Sequence, residues 1–284
     1  MTPPTSFRRL VLEVGQGASG PSTLRGAAEL ARFLGLALHC VLVQDEALFN
    51  LPSARELRLP TREWRKLDPG QLAAEFAAME TALRRNLEAL GVSLGIAQAL
   101  EVQRGDPEAC LVGLCVAGDI VVLAEGAPGQ PRPHLAARLH ALALRSAASV
   151  LLLPAAPPPA ATPVAAVLAN PDDPALAVAA TIAAASGAAL LVVLAEGDAA
   201  QVAAHAARMG IPPARLALRP AGGHDAAALD AALGVTRTRL LVMDAASWDN
   251  GDLASVLARR HATPVLLVET RAPADQTPLN SASR

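Results

Sequence analysis

The sequence predicts an α/β fold built as two tandem five-stranded parallel sheets, each with helices on both faces. Three observations predict it. Short continuous apolar runs alternate with helical patterns, as expected for parallel strands that are buried on both faces. The same order of elements occurs twice along the 284 residues. Between the two copies, Pro154–Pro163 contains five prolines in ten residues, which predicts a linker with extended stretches.

Both copies open with a strand, a helix that stops at a glycine, and a second strand. In the first half these segments read RLVLEV, GPSTLRGAAELARFLG and LALHCVLV, and the helix stops at Gly35. In the second half they read VAAVLA, DDPALAVAATIAAASG and AALLVVLA, and the helix stops at Gly187. Glycine is the usual stop because it adopts the left-handed backbone that closes a last helical turn.

The closing strands of the two copies match as well. GDIVVLAEG corresponds to RTRLLVMDA, and ASVLLLP corresponds to TPVLLVE. The first half has an insertion from about Gln44 to Gly70 with no counterpart in the second half. We therefore divide the chain into a first domain (1–154, insertion about 44–70), a linker (155–163), a second domain (164–270) and a tail (271–284) that we expect to be disordered.

Composition excludes several function classes. There is no Tyr, with two Trp and four Phe, and 24 basic against 26 acidic residues give a net charge of −2. Neither a stacking platform nor a basic footprint for nucleic acid or membrane is expected. Cys40, Cys110 and Cys115 lack zinc-type spacing and are expected to be buried free thiols. No signal peptide or long apolar run is evident, so we expect a cytoplasmic protein. No metal site is expected, because His39, His205 and His261 are isolated in the sequence.

Two glycine-containing turns are the candidate binding sites. In RGDP, Asp106 is predicted to cap a helix with Pro107 at its first position, and Gly105 precedes them. Gly126 and Gly129 lie between a strand and a predicted helix, the arrangement from which phosphate sites are made. Simple capping and a simple turn are the alternatives. The matching turn of the second half, GGHD, has a His beside an Asp but no nucleophile in a recognisable elbow nearby, so catalysis is not expected there.

This element order, the RGDP turn and the closing TPVLLVE resemble the universal stress protein family, once per half and over nearly the whole chain. The resemblance implies Rossmann-like domains of the adenine nucleotide alpha-hydrolase type. Many members bind ATP through an Asp after the first strand and a loop of G, two residues, G, nine residues, then G with Ser or Thr. Gly126 and Gly129 match the first two glycines, but Leu139 follows where the third is required, and Gly15 stands at the Asp position.

The second half departs from the family pattern in a different way. Gly251 and Asp252 stand near the place of the final Gly and Ser or Thr, and the earlier glycines are replaced by Ala and Ser. A carboxylate there would repel a phosphate. Ala169 or Asn170 stands where the family has its Asp.

The sequence therefore predicts a non-enzymatic regulatory or scaffolding protein with degraded nucleotide sites and no firmly held cofactor. One alternative is weak ATP or AMP binding by the first half through Gly105, Asp106, Gly126 and Gly129. A remote alternative is an alpha-hydrolase-type enzyme, although GQGASG after the first strand lacks the Asp and His of such enzymes. The expected partners are the other half of the same chain, through Ser149–Leu153 and Pro264–Val268, a second copy, and an unidentified protein.

The insertion carries a second candidate surface. Basic residues alternate there with large apolar residues, which predicts either a solvated, partly ordered loop or a docking surface whose apolar side packs on protein. The residues are Arg55, Arg58, Arg62, Arg65 and Lys66, with Leu51, Leu57, Leu59 and Trp64.

Overall fold

The computed structural model describes residues 7–14, 21–46, 56–58, 64–66, 69–124, 148–154, 162–248 and 251–268. In the first half these ranges contain, in chain order, β1 (Arg9–Glu13), α1 (Pro21–Leu34), β2 (Ala37–Asp45), β3 (Glu56–Arg58), β4 (Trp64–Lys66), α2 (Pro69–Leu94), β5 (Gln98–Gly105), α3 (Pro107–Leu114), β6 (Asp119–Ala124) and β7 (Ser149–Leu153).

The second half contains β8 (Val164–Leu168), α4 (Ala175–Ser186), β9 (Leu190–Leu194), α5 (Ala199–Arg208), β10 (Leu216–Pro220), α6 (Ala226–Leu233), β11 (Leu240–Asp244), α7 (Gly251–His261) and β12 (Val265–Val268). The predicted α/β class is confirmed. Gly35 and Gly187 follow α1 and α4 with φ of 69° and 72°, the left-handed stop that the sequence predicts.

Ten of the strands form one continuous sheet in the order β10-β9-β8-β11-β12-β7-β6-β1-β2-β5. All neighbours are parallel except the central pair, β7 and β12, in which Leu151 pairs with Leu266 in antiparallel register. If the five strands of each half in this sheet are numbered in chain order, both halves have the same spatial order. From the central pair outward, it is fifth, fourth, first, second and third. The sequence predicted two five-stranded sheets, whereas the described strands join into one sheet whose halves share an order.

The core lies on both faces of the sheet. Successive residues of β1 alternate between them, since Leu10 and Leu12 belong to one buried cluster and Val11 belongs to the other. α1 and α4 cover the first face, and α7 contributes to the second. Many of the buried helical residues are alanines, which let the helices lie close to the strands and explain the Ala-rich composition.

The insertion differs from the second half in two ways. β3 and β4 form a separate antiparallel pair, and the following helix α2 has 26 residues where α5 has 10. Much of the 44–70 segment, including the side chains of its predicted basic and apolar residues, lies outside the described residues. The docking surface suggested for it stays a prediction.

None of the helices within the described ranges is long and apolar enough to cross a membrane.

The central strand pair can be tested by substitution. Leu266 is fully buried and pairs with Leu151, so Leu266→Ala should lower the free energy of unfolding by about 2–5 kcal/mol. Val92, which is 87% exposed on α2, provides a control, because Val92→Ala should change it by less than about 0.5 kcal/mol. Urea unfolding followed by circular dichroism measures both. Equal effects of the two substitutions would contradict the burial of this pair.

Candidate functional site

The candidate site lies at the carboxyl ends of β8, β9 and β11 in the second half. The chain leaves β8 for β9 on one side, while β11 lies on the other side. In open α/β sheets such a switch point is where ligands bind. The loops at this edge span residues 169–174, 195–198, 221–225 and 245–248 of the described chain.

Asp173 occupies the start of helix α4. Its Oδ2 accepts a hydrogen bond from the Ala169 backbone N–H at 2.9 Å, and its Oδ1 accepts from the Ala175 N–H at 2.9 Å. The residue is 3% exposed. The N-cap residue Pro174 makes no capping bond of its own. The amide at the first position of α4 is therefore taken by a carboxylate of the same loop.

Asp244, at the end of β11, also accepts hydrogen bonds from the turn beside it. Its Oδ2 accepts from the backbone N–H of Ser247 at 2.9 Å and from the Ser247 hydroxyl at 2.7 Å. Asp244 is also 3% exposed. The turn after β11 therefore folds back onto the carboxylate of Asp244, the last residue of the strand. The Ser247 amide is not free to bind a ligand.

The charge of Asp244 acts on Asp173. Burial raises the pKa of Asp173, and the charge of Asp244 raises it further. Hydrogen bonds from the Ala169 and Ala175 amides and from Ser247 oppose the rise. The edge where β8 and β11 end therefore carries two buried acid groups that accept hydrogen bonds from the Ala169, Ala175 and Ser247 amides, an arrangement that leaves these amides unavailable to an anion.

Further side chains of these loops contact one another. His224 Nε2 lies 2.9 Å from Glu196 Oε1, and the His224 ring is 5.7 Å, centroid to centroid, from the ring of Trp248, which is buried. The loop after β9 packs tightly on the loop after β8. At Gly197, which has φ 110°, a Cβ atom would lie 2.5 Å from Pro171 Cδ, so only glycine fits there.

Two pairs of polar side chains lie at this edge. His224 faces Glu196, and the Ser247 hydroxyl bonds to Asp244. Over the described ranges, no group of three or more His, Cys, Asp or Glu side chains could hold a metal ion.

Of the sequence-predicted site residues in the first half, Gly105 and Asp106 fall within the described chain. Asp106 is the N-cap of α3, its Oδ1 accepts from the Ala109 N–H at 2.8 Å, and Pro107 follows it. The capping role is confirmed. Gly105 has φ 149°, and a Cβ there would lie 3.2 Å from Cys110 Sγ. Gly126 and Gly129 lie outside the described residues.

The matching turn in the second half repeats this design. Asp225 caps α6 by accepting from the Ala228 N–H at 2.8 Å. Gly222 in the same turn has φ 72°. In both halves, the turn after the third strand therefore contains an Asp that caps the following helix.

The cysteines carry free thiols. Burial raises the pKa of Cys40 to about 12, and burial with the charge of Asp119 raises that of Cys115 to about 11. Thiols with such values are poor nucleophiles. Cys110 differs from the sequence prediction, because it is only partly buried.

Sequence reasoning missed Asp173 and Asp244. It assigned the family's Asp position to Ala169 or Asn170 and looked for phosphate contacts further along the chain. The available signal was an acidic residue that follows each of two apolar runs, directly in LLVMD and after Asn170, Pro171 and Asp172 in LANPDD.

No family model and no curated protein matches the chain. Among solved structures, it is similar to the cytoplasmic domain of a prokaryotic cation chloride cotransporter, with a TM-score of 0.53 and 12% sequence identity. The match covers 92% of this chain and 95% of that chain. At this identity the likeness shows the fold alone.

The acid pair leads to a pH-dependent prediction. The ordinary pKa of an Asp is 3.8, and that of folded Asp173 is raised. The folded state therefore holds this proton more tightly, and the contribution of Asp173 to stability falls as pH rises from about 3.8 through its folded value. Asp173→Asn removes the titratable group and one of the two oxygens that accept from backbone N–H groups. It should lower the free energy of unfolding by about 1–3 kcal/mol.

The difference in free energy of unfolding between wild type and Asp173→Asn, called the stability gap, should therefore be larger at pH ~4 than at pH ~7. Urea unfolding at both pH values measures the gap. Asp198→Asn is the control, because Asp198 also caps a helix but is exposed to solvent. A gap that stays constant or widens toward neutral pH would contradict the account of this pair.

Proposed function

We propose that this chain is a non-enzymatic, universal stress protein-like regulatory or scaffolding protein that acts through contacts with other proteins. One observation carries the proposal. In the second half, the amides of Ala169, Ala175 and Ser247 at the switch point are held by Asp173 and Asp244.

A phosphate site needs free backbone amides at a helix start or in a glycine loop. A phosphate approaching these amides would have to displace two buried carboxylates and would meet their charge. Each charge-assisted hydrogen bond contributes about 1.5–3 kcal/mol, so the loss of any two of the three amides would cost roughly 3–6 kcal/mol. Since about 1.4 kcal/mol corresponds to a tenfold change in affinity, a micromolar nucleotide site would become millimolar or weaker.

The proposal includes the tandem organisation. Each half is interpreted as one domain of the Rossmann-like, adenine nucleotide alpha-hydrolase type, with a linker at 155–163. The shared strand order, the glycine stops after α1 and α4, and the Asp caps of α3 and α6 support this interpretation.

The proposal includes a cytoplasmic location and a protein partner, rather than a nucleic acid, a membrane or a cofactor. The solved structure that the chain resembles over 92% of its length is a cytoplasmic domain, and this likeness bears on the fold alone. The chain's net charge of −2 is consistent with that choice of partner.

The proposal predicts that the intact protein shows no micromolar binding of ATP or AMP by isothermal titration calorimetry. The same titration on Gly126→Val with Gly129→Val tests the first-half loop, and Gly113→Val is the control, since a Cβ at Gly113 has open space around it.

Micromolar ATP binding by the intact protein that the double substitution abolishes would overturn the proposal and assign a nucleotide site to the first half. Binding that survives the double substitution would place a nucleotide elsewhere and would also contradict it.

A further inference from the structure

The amino edge of the second half carries a cationic surface, which we call the basic edge. It lies where α6 and α7 end and β11 and β12 begin. Its residues are Arg219, Val235, Arg237, Arg259 and Arg260.

Specific contacts hold these segments together. Asp230 of α6 forms an ion pair with Arg260 of α7 through Oδ2, and its Oδ1 lies 2.9 Å from His261 Nε2. Thr238, just before β11, donates to Thr263, just before β12, at 3.3 Å. The loop 234–239 and the last turn of α7 are therefore neighbours on one surface.

The charges of the basic edge are not balanced by the described residues around it. The loops 187–189, 209–215, 234–239 and 262–264 contain no acidic residue. Asp230 is engaged by Arg260 and His261. Arg219 donates only to the Ala232 and Leu233 carbonyl oxygens.

Two of the arginines are exposed and have no ion pair with any described residue. These are Arg237, in the loop before β11, and Arg259, in the last turn of α7. The dipole of α7 stabilises a cation at its end and accounts for Arg259. It does not account for Arg237, which lies outside any helix.

An apolar residue lies beside these cations. Val235 is fully exposed, two positions before Arg237. A lone exposed valine is ordinary. On one surface with two guanidinium groups that have no ion pair to any described residue, however, it can contact an apolar side chain while the arginines contact carboxylates. Arginine is enriched at the centres of protein interfaces and binds carboxylates in a bidentate geometry.

We propose that the basic edge docks an acidic segment of a partner protein, with an apolar side chain of that segment against Val235. This inference rests on the proposed function, a role through protein contacts. An acidic peptide fits better than a nucleic acid because the basic-edge residues include no aromatic side chain to stack on bases, and Phe33, an aromatic residue beside the loop 234–239, is covered by Arg239 at 5.3 Å.

The test uses the full chain and a fluorescein-labelled synthetic peptide of Glu, Asp and Leu, followed by fluorescence anisotropy at two salt concentrations. We expect saturable binding that weakens with salt, because exposed charge pairs are screened. Arg237→Glu with Arg259→Glu should weaken it about tenfold or more. Val235→Ser should weaken binding with little change in its salt dependence, since no charge is removed.

The matched control reverses two exposed arginines of the first half, Arg25→Glu with Arg84→Glu, which changes the net charge by the same amount. Both side chains are largely exposed, and this variant should bind like wild type apart from a small long-range effect. Thermal unfolding of each variant verifies that it is folded.

Absence of peptide binding, or equal loss in both double variants, overturns the basic edge as a docking site. So does tighter binding of single-stranded RNA or of anionic lipid vesicles that the Arg237→Glu, Arg259→Glu variant loses. Each of these results leaves the ATP titration unchanged, so failure of this proposal is distinguishable from failure of the proposed function.

Discussion

The antiparallel pairing of β7 with β12 is the contact on which the rest of the structure depends. It places two wholly buried apolar strands, SVLLL and VLLV, at the centre of the sheet, where neither has an open edge. The strands left at the edges are β5 and β10, which are less buried and carry Glu101, Arg104, Arg219 and Pro220. Charged residues and proline at an edge oppose further strand addition. The pairing also brings α1 and α4 into contact on one face of the sheet.

Because β7 and β12 are antiparallel, the strands of the two halves run in opposite directions. The carboxyl ends of the strands in one half therefore lie at the same edge as the amino ends of the strands in the other half. In the second half, acids gather at the carboxyl edge and arginines at the amino edge. Helix dipoles favour this distribution, since helices that follow parallel strands all begin at one edge and end at the other. The charged residues at the two edges of the second half also differ in their partners. At the carboxyl edge, Asp173 and Asp244 hold the loop amides internally, whereas at the amino edge Arg237 and Arg259 form no ion pair with any described residue.

Local features of this fold could be predicted from the sequence. The buried strands are continuous apolar runs, the glycine stops at Gly35 and Gly187 depend on backbone conformation alone, and the Asp106 cap follows from its place before Pro107. The candidate site could not be predicted in this way. Asp173 meets Asp244 only because β8 lies beside β11, and nothing in the apolar pattern of either strand specifies that neighbour. The basic edge likewise requires α6 to lie beside α7, a contact between distant parts of the chain.

The central claim is that Asp173 and Asp244 occupy the backbone amides at the carboxyl edge of the second half, so that a phosphate cannot bind them. The signals of these amides test the claim directly. Nuclear magnetic resonance of the ¹⁵N-labelled protein, titrated with ATP up to millimolar concentration, follows the backbone signals of Ala169, Ala175 and Ser247. The account predicts that these three signals do not shift, because their N–H groups already donate to Asp173 and Asp244. Saturable shifts of these signals at micromolar ATP would contradict it, since they would show that the carboxylates yield to a nucleotide.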